Sequence, residues 1–233
     1  MKGELRKPAS VNAILLIGIF TFVFLGAEYL FVNMISLSVT EGRTVIAQNY
    51  ALGTSAVGFF LYPAMERWGG RRYKSALTFI LALGAIICTF IVQQHISYAA
   101  TMTAGMVLFL LLGVFGSAVY YLAAVTIDGD NALARLAGIA YALGILLQYA
   151  NNNLVNLEVA EAAFLSVFLA ALSLLVIRTR QAAQSRIEMT ETAGASSEPA
   201  EDISLTRKKR TAGIMLALLV VLMACVFSTL DNA

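Results

Sequence analysis

The chain has few charged residues, two cysteines and one histidine among its 233 residues. Charged residues make up 13% of it, whereas ordinary soluble domains carry about 25%. Cys88 and Cys225 lie in separate apolar runs, so the sequence indicates neither a disulfide framework nor a zinc-binding pattern. His95 lies in a polar turn and is read as a loop histidine. Because no apolar run contains a histidine that could act as a base, we predict that the protein is not an enzyme and has no cofactor or metal site.

Apolar residues make up 59% of the chain. They gather in runs close to the roughly 20 residues that a helix needs to cross about 30 Å of hydrocarbon. The sequence therefore predicts an all-α membrane protein. Its first run is too long for the core of a signal peptide and is read as an uncleaved span. The predicted spans cover residues 11–37, 44–64, 75–92, 98–126, 136–156, 160–177 and a seventh from residue 212 onward.

A polar segment rich in Glu, Ser, Thr and Ala separates the sixth and seventh spans. It offers almost nothing to bury, which predicts a flexible linker. The predicted organisation is a six-helix transmembrane bundle over residues 1–177, a cytoplasmic linker over 178–211 and a seventh helix over 212–233. This layout is the one expected of the front part of a twelve-span protein. We therefore expect the seventh helix to begin a second bundle that this chain lacks.

The placement of Lys and Arg predicts which side of the membrane each loop occupies, because these residues favour cytoplasmic loops. The loop over residues 66–74 is strongly basic and is predicted to be cytoplasmic. If all seven spans cross, only Arg43 of the 16 Lys and Arg residues lies outside. If the polar fifth span does not cross, the basic residues divide evenly between the two sides. The sequence thus predicts a multi-pass protein of the cytoplasmic (inner) membrane with its amino terminus in the cytoplasm.

The basic loop resembles the signature between the second and third spans of the major facilitator superfamily of transporters, which is roughly Gly-x-x-x-Asp-Arg-x-Gly-Arg-Arg. In this chain Tyr62 stands at the first glycine, Glu66 at the acidic position, and the basic pair follows one residue late. The resemblance implies a half-transporter with a nested 3+3 inverted repeat. It also implies a gating loop that latches onto helix ends of the other half. The alternative is a basic loop that only sets topology. The residues implied for the latch are Glu66, Arg67, Gly69, Arg71 and Arg72.

Two other patterns of that superfamily are absent. The fourth span has no arginine of the kind that proton-coupled members carry, and the fifth has no Gly-Pro pair of the kind found in drug/proton antiporters. Both absences argue against a drug antiporter of that type.

Glu28 is the one residue of the 14 Asp and Glu that lies well inside a predicted span, the others being in loops, the linker or span ends. An acid inside a membrane needs a partner or a proton, which makes it a functional candidate. Thr21 and Ser36 share its face at helical spacing. We expect Glu28 to face a central cavity and to bind a proton, a cation or a cationic group of the substrate. The alternative is a protonated carboxyl group bonded to a neighbouring helix.

A polar stripe on the fifth span supplies further candidates for the substrate or ion site: Tyr141, Gln148 and Asn152 fall on one helix face. Such a face should meet protein or water rather than lipid, through substrate contact or through hydrogen bonds between helices. Tyr121 on the fourth span is a candidate as well. Gly113 on that span is read as a site of close helix packing.

These patterns predict a secondary transporter that moves a small polar organic solute, coupled to a proton or another cation, by alternating access. The predicted partners are the solute, the lipid bilayer and the missing second half, with no nucleic acid. The alternative function is a membrane sensor or regulatory module on the same scaffold without transport. A seven-span receptor would need its amino terminus outside, and a retinal pump would need a lysine in the seventh span, which has none.

Overall fold

The computed structural model of the protein describes residues 7–67, 71–127, 130–155 and 157–193. All the regular structure of these residues is helical. Five of the helices, all except α2, are long and apolar enough to cross a membrane. The structure therefore confirms an all-helical fold for these residues and indicates a multi-pass membrane protein. The helices are α1 (Lys7–Ser36), α2 (Glu41–Arg67), α3 (Arg71–Gln94), α4 (Tyr98–Thr126), α5 (Asp130–Leu154) and α6 (Glu158–Ala193).

The chain divides into two compact units, residues 1–187 and 188–233. The first holds the helical bundle. Of the second, only the final turns of α6 belong to the described residues. The predicted seventh helix over residues 212–233 lies outside the described part of the chain.

Helix α4 has the predicted bounds, but α6 is longer than predicted. It continues to Ala193, so the first part of the segment expected to be a flexible linker from residue 178 is helical. This part is composed mainly of Arg, Gln, Ala, Glu and Met, which favour helix, and it contains neither glycine nor proline. Thr179 and Arg180 are also buried, so packing holds this turn of the helix.

The connections between successive helices are short, which makes neighbouring helices antiparallel. The bundle therefore has two ends. We call one of them the basic end: α1, α3 and α5 begin there, and α2 and α4 end there. At the opposite end α1, α3 and α5 end, and α2, α4 and α6 begin. The Ser97 side chain caps α4 there by accepting a hydrogen bond from the Ala100 N–H group at 3.2 Å.

Helices α1 and α4 form the centre of the bundle, and both are mostly buried along their apolar length. Aromatic side chains of the two helices pack against each other. The ring of Phe109 on α4 packs edge-on against Phe24 and Phe31 of α1, with ring centroids 5.5 Å and 6.0 Å apart. By contrast α5 and α3 leave most of their apolar surface exposed. In a membrane this surface faces lipid or another protein segment.

Helices α2 and α4 approach each other closely because both carry glycine at the crossing. A side chain at Gly58 would collide with the carbonyl oxygen of Leu110, and one at Gly113 would collide with the carbonyl oxygen of Ser55. Thr54 bridges the same two helices by donating a hydrogen bond to the Met106 carbonyl oxygen at 3.0 Å. The prediction that Gly113 serves close helix packing is confirmed.

Candidate functional site

Glu28 forms a hydrogen bond between α1 and α2. Its side chain is half-buried, and the Gln48 Nε2 group donates to its Oε1 atom at 2.8 Å. A carboxylate that accepts from an amide within an apolar bundle makes a stronger bond than a neutral pair does. Gln48 and Asn49 are also polar residues of the one helix that falls outside the five apolar ones. Of these two polar residues of α2, Gln48 is the one that bonds to the acid on α1, and Asn49 is exposed.

The sequence places Thr21, Glu28 and Ser36 on one face of α1, but the three side chains lie in different surroundings. Thr21 is buried against α5, where a Cβ atom added to Gly144 would lie 2.7 Å from the Thr21 Cβ atom. The buried Thr21 Oγ1 atom has no hydrogen-bond partner. Ser36 is exposed and donates to the carbonyl oxygen of Asn33 at 2.8 Å. The carboxyl group of Glu28 bonds to α2 instead, so no contact joins the three side chains.

Two of the three candidates on α5 meet each other. The Gln148 Nε2 group donates to the Asn152 Oδ1 atom at 2.6 Å. Gln148 is buried beside α1, where a Cβ atom at Gly26 would lie only 2.9 Å from its Oε1 atom. Tyr141, the third member of the stripe, is 50% exposed. The polar surface of α5 that is enclosed by other helices is therefore the part around Gln148, near the opposite end of the bundle.

Two buried polar residues near this surface were missed by the sequence analysis, Asn151 on α5 and Glu161 on α6. Each is 6% exposed. Neither amide atom of Asn151 has a hydrogen-bond partner, and the Glu161 Oε1 atom has none either. Glu161 was placed among the acids at span ends because it lies in the first turn of α6. Its burial makes it a second acid of the bundle interior besides Glu28.

The signal that could have found Glu161 is the spacing along α6. One buried stripe runs along this helix from residue 161 to residue 180 at intervals of three and four residues, which is the period of one helix face. An acidic residue begins the stripe and a basic residue ends it. Its members are Glu161, Leu165, Leu169, Leu172, Val176 and Arg180.

Arg180 joins three helices at the basic end and was counted with the linker in the sequence analysis. Its Nη1 group donates to the Lys74 carbonyl oxygen at 3.3 Å and to the Thr78 Oγ1 atom at 3.2 Å, and its Nη2 group donates to the Tyr62 hydroxyl oxygen at 3.1 Å. The guanidinium carbon also lies 6.0 Å from the centre of the Tyr62 ring. Tyr62, which stands at the first position of the stretch that resembles the transporter signature, is thus the partner of a buried arginine.

Tyr121 belongs to this basic-end cluster. Its ring packs on that of Tyr62 with centroids 6.1 Å apart, and it is half exposed. A small cleft opens beside the cluster and is lined by Phe115 of α4, by Lys74 of α3 and by Arg180. The structure therefore places Tyr121 at the end of the bundle away from Glu28 and from Gln148.

The residues implied for the gating loop lie where α2 passes into α3. Glu66 and Arg67 end α2, and Arg71 and Arg72 begin α3. Their side chains, and Gly69, fall outside the described part of the chain, so the latch stays a prediction. Among the residues that the structure describes, no group of three or more His, Cys, Asp or Glu side chains could hold a metal ion.

Comparisons with protein-family models, with curated proteins and with solved structures find no match to this chain. The transporter signature thus remains a resemblance over about ten residues, together with the layout of the helices. Function has to be inferred from the polar side chains inside the bundle and from how the helices pack.

Proposed function

We propose that this chain is the six-helix half of a secondary active transporter, which moves a small polar organic solute across a membrane by alternating access. The observation that carries the proposal is the hydrogen bond between Glu28 and Gln48 inside the bundle. A charged group is costly in hydrocarbon, and membrane proteins that keep one there use it along a substrate or ion pathway.

Glu28 is suited to bind a cationic partner because its carboxyl group is held but not enclosed. One oxygen accepts the Gln48 amide proton at 2.8 Å, and the side chain is only half-buried. A carboxyl group oriented by a neutral amide still has an oxygen that can bind a proton, a cation or a cationic group of the solute. Gln148 and Asn152 add neutral polar groups to the same half of the bundle, and Thr21 adds one near its middle, as recognition of a polar solute requires.

The pairing of the helices supports the 3+3 repeat that belongs to the proposal. If α1, α2 and α3 correspond to α4, α5 and α6, the extensive packing of α1 on α5 corresponds to that of α4 on α2. The two central helices, α1 and α4, then occupy equivalent positions. The correspondence is incomplete, because α3 packs closely on α4 while α6 meets α1 mainly through side chains such as Phe168 on Phe22.

In this proposal the basic end faces the cytoplasm, as the distribution of Lys and Arg favours. Glu28 and the polar part of α5 then belong to the half of the bundle nearer the outside, and Tyr121 belongs to the cytoplasmic closure. The exposed apolar surface of α5, including Tyr141, supplies a face for the second half of the transporter. The chain segment from residue 212 would begin that second half.

The proposal is tested by uptake into liposomes that contain the protein together with any continuation of its natural reading frame. Mixtures of amino acids, sugars, amines and organic acids are supplied with and without proton and sodium gradients. We expect at least one class to accumulate against its gradient. We expect Glu28→Gln to lower this accumulation at least about tenfold, because the charged partner of the cation is lost.

Glu41→Gln is the matched control, because Glu41 is an exposed acid in the first turn of α2. It should transport like the wild type. If no solute class accumulates, or if Glu28→Gln transports as well as the control, the proposal is wrong. A solute that binds without accumulating would favour the sensor module instead.

A further inference from the structure

Three helices meet at Gly26 of α1, near the opposite end of the bundle. A Cβ atom at this glycine would lie 2.5 Å from the Leu165 Cδ2 atom of α6 and 2.9 Å from the Gln148 Oε1 atom of α5. The missing side chain is what allows both helices to approach α1 here. Gln148 and Leu165 therefore share one layer of the bundle.

In the next turn toward the opposite end, α5 and α6 each carry a buried polar residue. Asn151 lies three residues beyond Gln148 on the outgoing helix α5, and Glu161 lies four residues before Leu165 on the returning helix α6. Each step is one helical turn, or about 5.4 Å, along the same helix face. Asn151 and Glu161 thus lie on either side of the short α5–α6 connection, each about one turn beyond the layer at Gly26. Both are buried, at 6% exposure each.

The polar atoms of these two layers have more acceptors than donors. The oxygens Gln148 Oε1, Asn151 Oδ1 and Glu161 Oε1 are buried without a hydrogen-bond partner, and Asn151 Nδ2 is the one donor in the same condition. A buried acceptor without a partner costs about 1–3 kcal/mol, and more when it is charged. Three oxygens, one of them from an acid, call for a positively charged ligand rather than an anion or an apolar group.

We propose that Glu161, Asn151 and Gln148 form a binding site for a small monovalent cation of the Na⁺ type. One carboxylate and two amide oxygens are hard oxygen ligands, and the single negative charge matches a single positive charge. A divalent ion would leave uncompensated charge in a buried place. Asn152 supports the site by accepting the Gln148 amide proton, which leaves the Gln148 Oε1 atom for the ligand.

The cation site is argued from the buried oxygens of Gln148, Asn151 and Glu161 and does not depend on the transport function. Only its use as the coupling-ion site rests on the proposed transport function. It is separate from the hydrogen bond at Glu28, which joins α1 to α2.

The experiment is a thermal unfolding series on the purified, detergent-solubilised protein. Choline is replaced by Na⁺, Li⁺ or K⁺ at constant ionic strength. We expect at least one of the small cations to raise the Tm relative to choline in a saturable manner, because a ligand that binds only the folded state stabilises it. Glu161→Gln and Asn151→Ala should each raise the half-saturating cation concentration at least about tenfold, since each removes an oxygen ligand.

Glu41→Gln is the control, because Glu41 is an exposed acid in the first turn of α2, and its cation response should equal that of the wild type. Binding of radiolabelled sodium, displaced by unlabelled Na⁺ but not by choline, gives a second readout if one variant does not fold. A Tm that is equal in choline and in every small cation overturns the proposal. So does a wild-type response that persists in both Glu161→Gln and Asn151→Ala.

The two proposals fail separately. Cation binding without solute accumulation would leave the site in place and remove the transport function. Solute accumulation without any cation response would do the reverse.

Discussion

Replacing Arg180 with methionine should destabilise the bundle more than any other single loss of a basic side chain among the described residues. Methionine keeps most of the aliphatic stem and removes the guanidinium group. The guanidinium group donates three hydrogen bonds, to Lys74, Thr78 and Tyr62. The distances are 3.1 to 3.3 Å, which is long for such bonds, so we assign each a net value of about 1 kcal/mol rather than more. The expected loss in the free energy of unfolding is about 3 kcal/mol.

The assay is equilibrium unfolding in mixed detergent micelles, with Arg178→Met as the matched control. Arg178 is an exposed arginine two residues earlier on α6, and its loss should cost less than about 0.5 kcal/mol. Tyr62→Phe keeps the ring that faces the guanidinium group and removes only the hydroxyl bond, for about 1 kcal/mol.

A double-mutant cycle then tests whether the contact is the cause. The variant carrying both Arg180→Met and Tyr62→Phe should unfold at nearly the free energy of Arg180→Met alone, which corresponds to a coupling of about 1 kcal/mol. If Arg180→Met is as mild as Arg178→Met, or if the effects at Arg180 and Tyr62 simply add, the assignment of stability to this cluster is refuted.

Three further outcomes are expected from the packing and the polar contacts. Gly113→Ala should lower the free energy of unfolding by about 1–3 kcal/mol, because its methyl group would collide with a backbone carbonyl of α2. Gly53→Ala has open space around it and should be neutral or stabilising, so equal effects of the two variants would contradict the close crossing. Gln48→Leu should alter the gradient dependence of uptake, because it removes the amide bound to Glu28 on α1. Asn49→Leu, a substitution of the exposed neighbour, should leave it unchanged, and identical transport by both variants would contradict the role of this bond. Gly26→Ala should fold, since it displaces only side-chain ends, but should lose most of the Tm rise with cations; an unchanged rise would place the cation elsewhere.

The regular part of the fold could be predicted from the sequence because hydrocarbon imposes a length on every span. The bounds of α4 were predicted to the residue, since a polar turn and an acidic turn flank an unbroken apolar run. The extension of α6 was not predicted, because polarity on one side of a helix was read as disorder. The buried stripe that ends at Arg180 shows that half of that turn faces protein.

The candidate site could be predicted only in its residue types. Glu28 and Gln148 were expected to be polar groups inside the bundle, and both make hydrogen bonds there. Their partners could not be deduced, because helical spacing shows which residues share a face but not which helix that face meets. Thr21 and Glu28 are two turns apart on α1, yet Thr21 lies against α5 while Glu28 bonds to α2.

By itself, the sequence determined that the chain is helical, where the apolar segments lie and where its basic residues gather, because each depends on local composition and on the exclusion of charge from hydrocarbon. The tertiary structure alone decided that Arg180 bonds to Tyr62, 118 residues earlier in the chain, and that Gln148 and Leu165 meet at Gly26. These pairings depend on how closely helices can approach at glycines, and that is a property of packed surfaces rather than of any one segment.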